Sequence, residues 1–332
     1  MTPPKGGRGG PSGGRGRKPS AGPRGAAPRG TPAKGRTPSR GTGRSGGTGG
    51  GGRSTHDARS ASRGSRDAGP TLHPAKPAKE RGLGGEQVEG RQAVRELLLA
   101  GRRKVHEIVF ANDLDPAPVL DDIRELAAEG RVLIREVSRN RLEGEARTDA
   151  PQGVIARAAP LPEVDLDDLL GPGPGGAAPF LLALDGVTDP GNLGAVLRSA
   201  ETAGVTGVVL PRHRAVHVTP TVTKAAAGAV EHLPMALVGG LPAALMRLRD
   251  KGIWIIGLDG AADHNLWDVR LADEPVVLVL GAEGTGLGRL TRQRCDEVVA
   301  IPLRGRLGSL NVAAAGALAC FEVARRRLGP TP

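Results

Sequence analysis

The hydrophobic pattern divides the chain into three parts. Residues 1–85 hold almost no large aliphatic side chains, since only Leu72 and Leu83 follow Met1. From residue 86 to 160, apolar positions recur at helical spacing in two stretches, and short apolar runs separate them. Beyond residue 178 the apolar runs are longer and nearly continuous. This pattern predicts a disordered tail (1–85), a small domain (86–160), a linker (161–178) and a larger domain (179–329).

The small domain is predicted to mix helices and strands. One helix is expected to begin near Arg91, with Val94, Leu97 and Leu98 on its apolar face. A second helix is indicated over residues 119–127, with Gly130 as its C-terminal stop. Short strands are predicted at Val105–Phe110, Val132–Ile134 and Gly153–Ala156.

The larger domain is predicted to contain a parallel sheet covered by helices on both faces, because near-continuous apolar strands suit that arrangement. Its predicted strands are Phe180–Leu184, Gly207–Leu210, Ile253–Leu258, Val276–Leu280 and Val298–Ile301. A long helix, Asn311–Leu328, ends the domain. The run GPGPGG before the first strand indicates the linker. The fold class is therefore doubly wound α/β.

The charge is distributed unevenly along the chain. Residues 1–85 hold 18 Lys and Arg against 3 acidic residues, whereas residues 86–332 hold 28 basic and 32 acidic residues. The excess of positive charge therefore belongs to the tail. A flexible basic arm suits sequence-independent contact with phosphates, and a solubilising extension is an equal alternative.

Several function classes are disfavoured by the sequence. No apolar run reaches the roughly 18 residues that a membrane span needs, and no secretory signal is visible. Cys295 and Cys320 stand alone, so neither a zinc site nor a disulfide framework is expected. The chain also lacks a P-loop and the GxGxxG fingerprint of dinucleotide-binding domains. A cytosolic protein without a metal is predicted.

Three segments could carry chemistry, and each follows a predicted strand. Residues 184–205 (LDGVTDPGNLGAVLRSAETAGV) include Asn192, which could cap a helix from Leu193, and the exposed Arg198. Taken alone, this segment is better explained as an ordinary strand–helix turn with an exposed ion pair between Arg198 and Glu201. Residues 278–290 (LVLGAEGTGLGRL) place Glu283 in a glycine-rich turn after a strand. Such turns expose backbone amides to a ligand, although tight turning alone would also explain the glycines.

The third segment is IPLRGRLGSLNVAAAG, residues 301–316, which leads into the last helix. Ser309 is a suitable N-cap for that helix, and Asn311 follows it. Ligands of open α/β sheets bind at the carboxyl ends of the strands. Because all three polar loops follow strands of one predicted sheet, we expect them to converge on a single site.

These segments together resemble the three motifs of the SpoU (TrmH-like) branch of the SPOUT RNA methyltransferases. The resemblance spans about residues 86–328, and it rests on Asn-x-Gly-x-x-x-Arg, Gly-Ala-Glu-Gly and Ser-Leu-Asn in that order. GRQAVRELL at residues 90–98 and PQGVIA at residues 151–156 resemble the L30e-like substrate-binding domain that precedes such enzymes. Within the family, the likeness is greatest to 23S rRNA guanosine-2′-O-methyltransferases.

The resemblance implies a sheet tied in a trefoil knot, a homodimer, and S-adenosylmethionine (SAM) as the cofactor. It implies SAM contacts at Gly281, Ile301 and Leu310. It also implies a catalytic set comprising Asn192, Arg198, Glu283, Ser309 and Asn311. The substrate would be RNA, with 23S rRNA favoured. A tRNA methyltransferase, an antibiotic-resistance rRNA methyltransferase and a non-catalytic RNA-binding module stay open as alternatives.

Arg198 is the base that the resemblance suggests. A guanidinium with a pKa above about 12 accepts protons poorly. We therefore expect Arg198 to bind the substrate phosphate and to lower the pKa of the ribose hydroxyl. We expect Asn192 and Glu283 to orient Arg198 and the ribose.

Overall fold

The computed structural model describes residues 82–213, 217–269 and 274–328. The prediction for the basic tail falls on residues that lie outside this set, apart from residues 82–85. Leu83 is buried in the main hydrophobic core, and its carbonyl accepts a hydrogen bond from the Val218 amide at 2.8 Å. The packed chain therefore begins a few residues earlier than the predicted boundary at residue 86.

A small sheet forms the first part of the described chain. Its order is β1-β4-β2-β3, with β2 and β3 parallel and the other pairs antiparallel. Its strands are β1 (Gln87–Glu89), β2 (Val105–Ala111), β3 (Leu133–Val137) and β4 (Val154–Ala158). Its helices are α1 (Arg91–Ala100), α2 (Pro118–Glu129) and α3 (Arg139–Glu145). The predicted helices and strands of this region are present, and β1 and α3 are additional.

The large sheet follows, and all of its strand pairs are parallel. Its order is β7-β6-β5-β10-β8-β11-β9. The strands are β5 (Phe180–Asp185), β6 (Gly207–Pro211), β7 (Met235–Val238), β8 (Trp254–Leu258), β9 (His264–Asn265), β10 (Val276–Gly281) and β11 (Glu297–Ala300). The helices are α4 (Pro190–Thr202), α5 (Pro220–Ala225), α6 (Leu241–Asp250), α7 (Arg289–Arg292) and α8 (Val312–Arg327).

The central strands β5 and β10 are apolar except for Asp185, which ends β5, because both of their faces are covered. Phe180, Leu182 and Leu184 of β5 belong to the core beneath α4 and α8. Leu181 and Ala183 point the other way, into the core that α6 covers. Successive side chains of one apolar strand thus point to opposite faces of the sheet and contribute to two cores. This confirms the predicted α/β class with a parallel sheet.

The segment predicted as a linker is packed against the large sheet. A short 3₁₀ helix, Leu166–Leu170, buries Leu166 and Leu169 in the core on the α6 side. The amide of Val164 also donates to the Met235 carbonyl at 3.1 Å. Residues 161–170 therefore extend the sheet layer, and the glycine-rich run comes after them.

A buried ion pair joins the small-sheet region to the large-sheet region. Arg103 follows α1, and its guanidinium donates to Glu231 at 2.6 and 2.9 Å. The same guanidinium donates to the carbonyls of Gly85 and Ala159 at 2.7 and 2.5 Å. The side chains of Arg103 and Glu231 are 2% and 1% exposed. Four charge-assisted hydrogen bonds therefore join the two regions at a place that is buried from water.

Among the described residues, no helix is long and apolar enough to cross a membrane. The trefoil knot stays a prediction from the family resemblance.

Candidate active site

The three predicted segments meet at the carboxyl ends of β5, β10 and β11. Asn192 donates a side-chain hydrogen bond to Glu283 at 2.9 Å. Asn311 donates to the side-chain oxygen of Asn192 at 2.8 Å and to Glu283 at 2.9 Å. We call these three residues the polar triad. Residues that are 91 and 119 positions apart in the chain are thus joined directly.

The N-caps of the two flanking helices differ from the sequence predictions. Asp189 caps α4, and its carboxylate accepts from the Asn192 backbone amide at 2.7 Å. Asn192 is therefore not a cap, because the helix begins at Pro190, where a proline at the first position is favourable. This leaves the Asn192 side chain available for the polar triad.

Asn311, and not Ser309, caps α8. Its side-chain oxygen accepts from the amides of Ala313 and Ala314 at 2.8 and 3.3 Å. The prediction that Ser309 is the cap is wrong, since the helix begins at Val312 and Ser309 lies too far upstream. The two ends of the Asn311 amide thus have separate roles: the oxygen fixes the helix and the nitrogen fixes the polar triad.

Glu283 is carried by a tight turn after β10. The amides and carbonyls of Ala282 and Gly286 bond to each other at 3.0 and 2.9 Å, and Gly286 adopts a φ of 66°. The turn packs so closely on the strand that a Cβ on Gly281 would lie 2.2 Å from the Gly286 carbonyl carbon. The glycine-rich pattern is therefore required by the close approach of the turn to the strand.

A cleft of about 700 Å³ lies beside the polar triad. The three residues predicted to contact the cofactor, Gly281, Ile301 and Leu310, line this cleft. Three of the predicted catalytic residues line it as well: Glu283, Ser309 and Asn311. Leu258, Leu280 and Val312 add apolar surface to the wall. A volume of several hundred Å³ with mixed lining is typical of a site for a nucleoside-sized ligand.

The loop at residues 302–310 forms part of the wall of this cleft. None of its amides or carbonyls makes a hydrogen bond to another residue in the part of the chain that the structure describes. Leu303 and Leu310 line the cleft from this loop. Free backbone groups beside an apolar wall are suited to reading the polar edge of a purine while its faces pack on leucine and isoleucine.

Arg198 is not hydrogen-bonded to the polar triad. It lies on α4, and its side chain is exposed. Its guanidinium makes no hydrogen bond or ion pair with any described residue, including Glu201, Asn192 and Glu283. The expected orientation of Arg198 by Asn192 and Glu283 is therefore not present within one chain. The guanidinium is instead free to bind an anionic ligand.

Two carboxylates that the sequence analysis did not single out shape the site. Asp185, at the end of β5, accepts from the Gly288 amide at 2.8 Å and so ties down the glycine-rich segment. Asp259, just after β8, lines the cleft and pairs with Arg292 at 2.5 Å. Their position directly after a strand is the signal that could have identified them, since ligands bind at that edge.

The two cysteines are not prepared for nucleophilic or redox chemistry. Burial raises the pKa of the Cys320 thiol to about 12, and burial together with Asp296 raises that of Cys295 to about 12. Within the described residues no cluster of histidine, cysteine and acidic side chains could hold a metal ion. The polar triad and the cleft are therefore the features on which a function can be built.

Comparison with known proteins agrees with this geometry. Residues 179–321 match the model of the SpoU rRNA methylase family, and residues 87–164 match the model for RNA 2′-O ribose methyltransferase substrate binding. A curated relative from Photobacterium profundum is 38% identical over 251 residues, which is 74% of this chain and 99% of the relative. The chain belongs to the SpoU methylase family.

The named relatives share one description. The protein from Photobacterium profundum and one from Escherichia coli K12 are both 23S rRNA (guanosine-2′-O-)-methyltransferase RlmB. The Escherichia coli protein is 39% identical over 73% of this chain and 99% of its own length. Among solved structures, the SpoU methyltransferase AviRb from Streptomyces viridochromogenes, in complex with the cofactor AdoMet, is similar with a TM-score of 0.61. It shares 25% identity, and the match covers 73% of this chain and 90% of AviRb.

Proposed function

We propose that this chain transfers a methyl group from SAM to the 2′-hydroxyl of a ribose in ribosomal RNA, with a guanosine of 23S rRNA as its target. The observation that carries the proposal is the polar triad, which lies at the rim of a nucleoside-sized cleft in a SpoU-family sheet. The curated relatives that span the folded part of this chain methylate 23S rRNA guanosine, according to their names. AviRb, a structural relative, binds AdoMet.

The residues of the cleft fit SAM. When bound, SAM supplies an electrophilic methyl group on a sulfonium. Gly281, Ile301 and Leu310 would hold it, largely through backbone groups, and the free amides of residues 302–310 are consistent with this role. Ser309 lies on the same loop and shapes the wall of the cleft. Closing this cleft around a methyl donor excludes water, which would otherwise compete with the ribose.

The polar triad would position the ribose. One carboxylate oxygen of Glu283 accepts from both asparagines, and the second makes no hydrogen bond to a described residue. That second oxygen, with the remaining amide hydrogen of Asn192, can bind the ribose hydroxyls. Since both asparagines are themselves held, the ribose would meet a rigid acceptor at little entropic cost.

Arg198 would bind the phosphate next to the target ribose. Its exposed guanidinium is free of carboxylates, and guanidinium groups bind phosphate oxygens in a bidentate manner. A cation at this place lowers the pKa of the nearby hydroxyl, and the phosphate or Glu283 can then take the proton. This assignment keeps Arg198 protonated throughout.

The chain would divide its work between two domains and a tail. Residues 86–160 would bind the RNA substrate, residues 179–329 would bind SAM and carry out the transfer, and the tail over residues 1–85 would add salt-sensitive contacts with phosphates. The match of residues 87–164 to the substrate-binding model supports the first assignment. No metal is part of the proposed reaction, and the enzyme would act in the cytosol, where ribosomal RNA is made.

A homodimer is part of this proposal. Leu318 and Phe321 are separated by one turn of α8, and they are 44% and 49% exposed. Large apolar side chains on one exposed face of a helix favour association with another surface. A second copy packed on α8 would also approach the start of that helix, where Asn311 holds the polar triad.

Two measurements test the proposed function. Purified protein is titrated with SAM by calorimetry, and tritiated methyl transfer to unmodified 23S rRNA and to unmodified tRNA is then followed. We expect SAM binding and 2′-O-methylation of 23S rRNA alone. Methylation of tRNA alone would replace the substrate, and SAM binding without transfer to either RNA would contradict the activity.

Substitution of Arg198 distinguishes the phosphate clamp from a general base. Arg198→Lys keeps the positive charge but loses bidentate geometry, so the rate should fall while the pH profile keeps its shape. A near-normal rate with a pH profile displaced toward the pKa of lysine would contradict the clamp.

A further inference from the structure

A second cleft, of about 330 Å³, lies between the small sheet and the beginning of α4. Residues 85–87 and Arg147 line it from the small-sheet side. Pro190 and residues 218–221 line it from the large-sheet side. Pro190 is the first residue of α4, two positions before Asn192 of the polar triad. The cleft therefore reaches the same helix terminus as the proposed catalytic residues. We call it the junction cleft.

Arg147 brings to the junction cleft a positive charge that is not part of an ion pair with any described residue. Its side chain is exposed, and its guanidinium makes no hydrogen bond or ion pair with any residue that the structure describes. Residues 86–332 include more acidic than basic residues, so a free arginine is not explained by a general excess of cations in this region. Thr221, across the cleft, also has a hydroxyl without a hydrogen-bond partner among the described residues.

The backbone that carries Arg147 is held by a buried carboxylate. Glu89 is fully buried, and it accepts from the amides of Arg147 and Thr148 at 2.6 and 3.0 Å. The Thr148 hydroxyl and the Gln87 side chain donate to it at 2.5 and 2.7 Å. Burying a carboxylate costs several kcal/mol unless it is satisfied in this manner. The buried carboxylate of Glu89 thus fixes the backbone of residues 147–148.

The two walls of the junction cleft are fixed relative to each other. The amide of Val218 donates to the Leu83 carbonyl at 2.8 Å, next to the residues that line the cleft. The buried pair between Arg103 and Glu231 joins the same two parts of the chain. A cleft of fixed width that contains the free guanidinium of Arg147 is suited to binding a compact anion.

We infer that the junction cleft binds a backbone phosphate of the substrate RNA, with Arg147 and Thr221 as donors. This inference rests on the proposed function and extends it, because it assigns a positioning contact outside the SAM cleft. Glu86 also lines the junction cleft, and because its carboxylate would repel a phosphate, the contacts with Arg147 and Thr221 must outweigh this repulsion. The phosphate contact sets the register of the RNA strand before it reaches Asn192, without reading a base.

Arg147→Gln tests the inference in the full-length protein. Affinity for unmodified 23S rRNA transcript is measured by filter binding at several salt concentrations, with methyl transfer measured in parallel. We expect an affinity about tenfold weaker at low salt and a salt slope reduced by about one, as for one lost phosphate contact. KM for RNA should rise while kcat stays within twofold and SAM affinity is unchanged. Arg147→Lys should restore the salt slope.

The matched control is Arg247→Gln, which removes an exposed arginine from the opposite face of the large sheet. We expect no change of slope in this variant. If Arg147→Gln and Arg247→Gln behave alike while the wild type methylates RNA, the inference is wrong and the proposed function stands. If the wild type neither binds nor methylates RNA, the proposed function itself fails.

Discussion

Replacing Arg103 with methionine should weaken the junction between the small and large sheets more than any surface substitution. The change keeps an unbranched side chain but removes all of the guanidinium hydrogen bonds. Glu231 then stays buried with its charge unpaired, and the carbonyls of Gly85 and Ala159 lose their donor. Breaking a buried ion pair by removing one partner costs about 3–5 kcal/mol.

The matched double variant separates the unpaired charge from the loss of packing. Arg103→Met combined with Glu231→Met removes both charges, and apolar pairs of similar volume are often nearly neutral replacements. Two carbonyls still lack donors, so we expect a residual cost of about 1–3 kcal/mol. The double variant should thus be more stable than Arg103→Met alone, and this order is the signature of a buried charge.

Urea unfolding followed by circular dichroism measures these differences, because urea does not screen charges. Hydrogen exchange of α1 and β1 shows whether the loss is confined to the junction. Arg247→Met is the control, since its pair with Asp167 is exposed and should contribute less than about 1 kcal/mol. A cost of Arg103→Met no larger than that of the control would refute the reasoning.

Three further outcomes follow from the packing and the charges. The high pKa values of Cys295 and Cys320 predict almost no alkylation of the folded protein by iodoacetamide at pH 8, and rapid labelling of both thiols before unfolding would contradict this. Gly194→Ala places a Cβ 2.5–3.0 Å from atoms of α5, so a calorimetric scan should show a clear decrease of Tm; an unchanged Tm would show that α4 can move away. The pKa of Glu322 is lowered chiefly by the hydrogen bond from Arg325, so its stabilisation is present above pH 4.5 and is lost as the pH falls through the lowered pKa. Glu322→Gln should therefore be less stable than the wild type at pH 7, and this difference should shrink as the pH falls through the lowered pKa of Glu322; a difference that stays constant through an acid titration would argue against the linkage.

The sequence predicted the central sheet well because its signal is local. The strands β5 and β10 contain unbroken apolar runs, Phe180–Leu184 and Val276–Leu280, because both of their faces are covered. The shorter strands β1 and β7 have three and four residues, too few for a periodicity to appear. The packing of Leu166 and Leu169 on the sheet could not be predicted either, because it depends on long-range contacts of a segment rich in proline and glycine.

The candidate site, too, could be predicted from the sequence only in part. The convergence of Asn192, Glu283 and Asn311 follows from three loops at the carboxyl ends of parallel strands. Which asparagine caps a helix could not be predicted, because the predicted start of α4 was three residues too late and that of α8 one residue too early. The absence of a hydrogen bond between Arg198 and the polar triad likewise depends on the exact phase of α4.

The double use of Asn311 makes assembly of the site depend on the end of the chain. Its oxygen begins α8, while its nitrogen closes the polar triad. A nascent or truncated chain that stops before residue 311 keeps the residues that give the hydrogen bond between Asn192 and Glu283, but it lacks both of the bonds that Asn311 donates to them. If the polar triad positions the ribose as proposed, catalytic competence depends on α8, and copies that lack this helix would not methylate RNA.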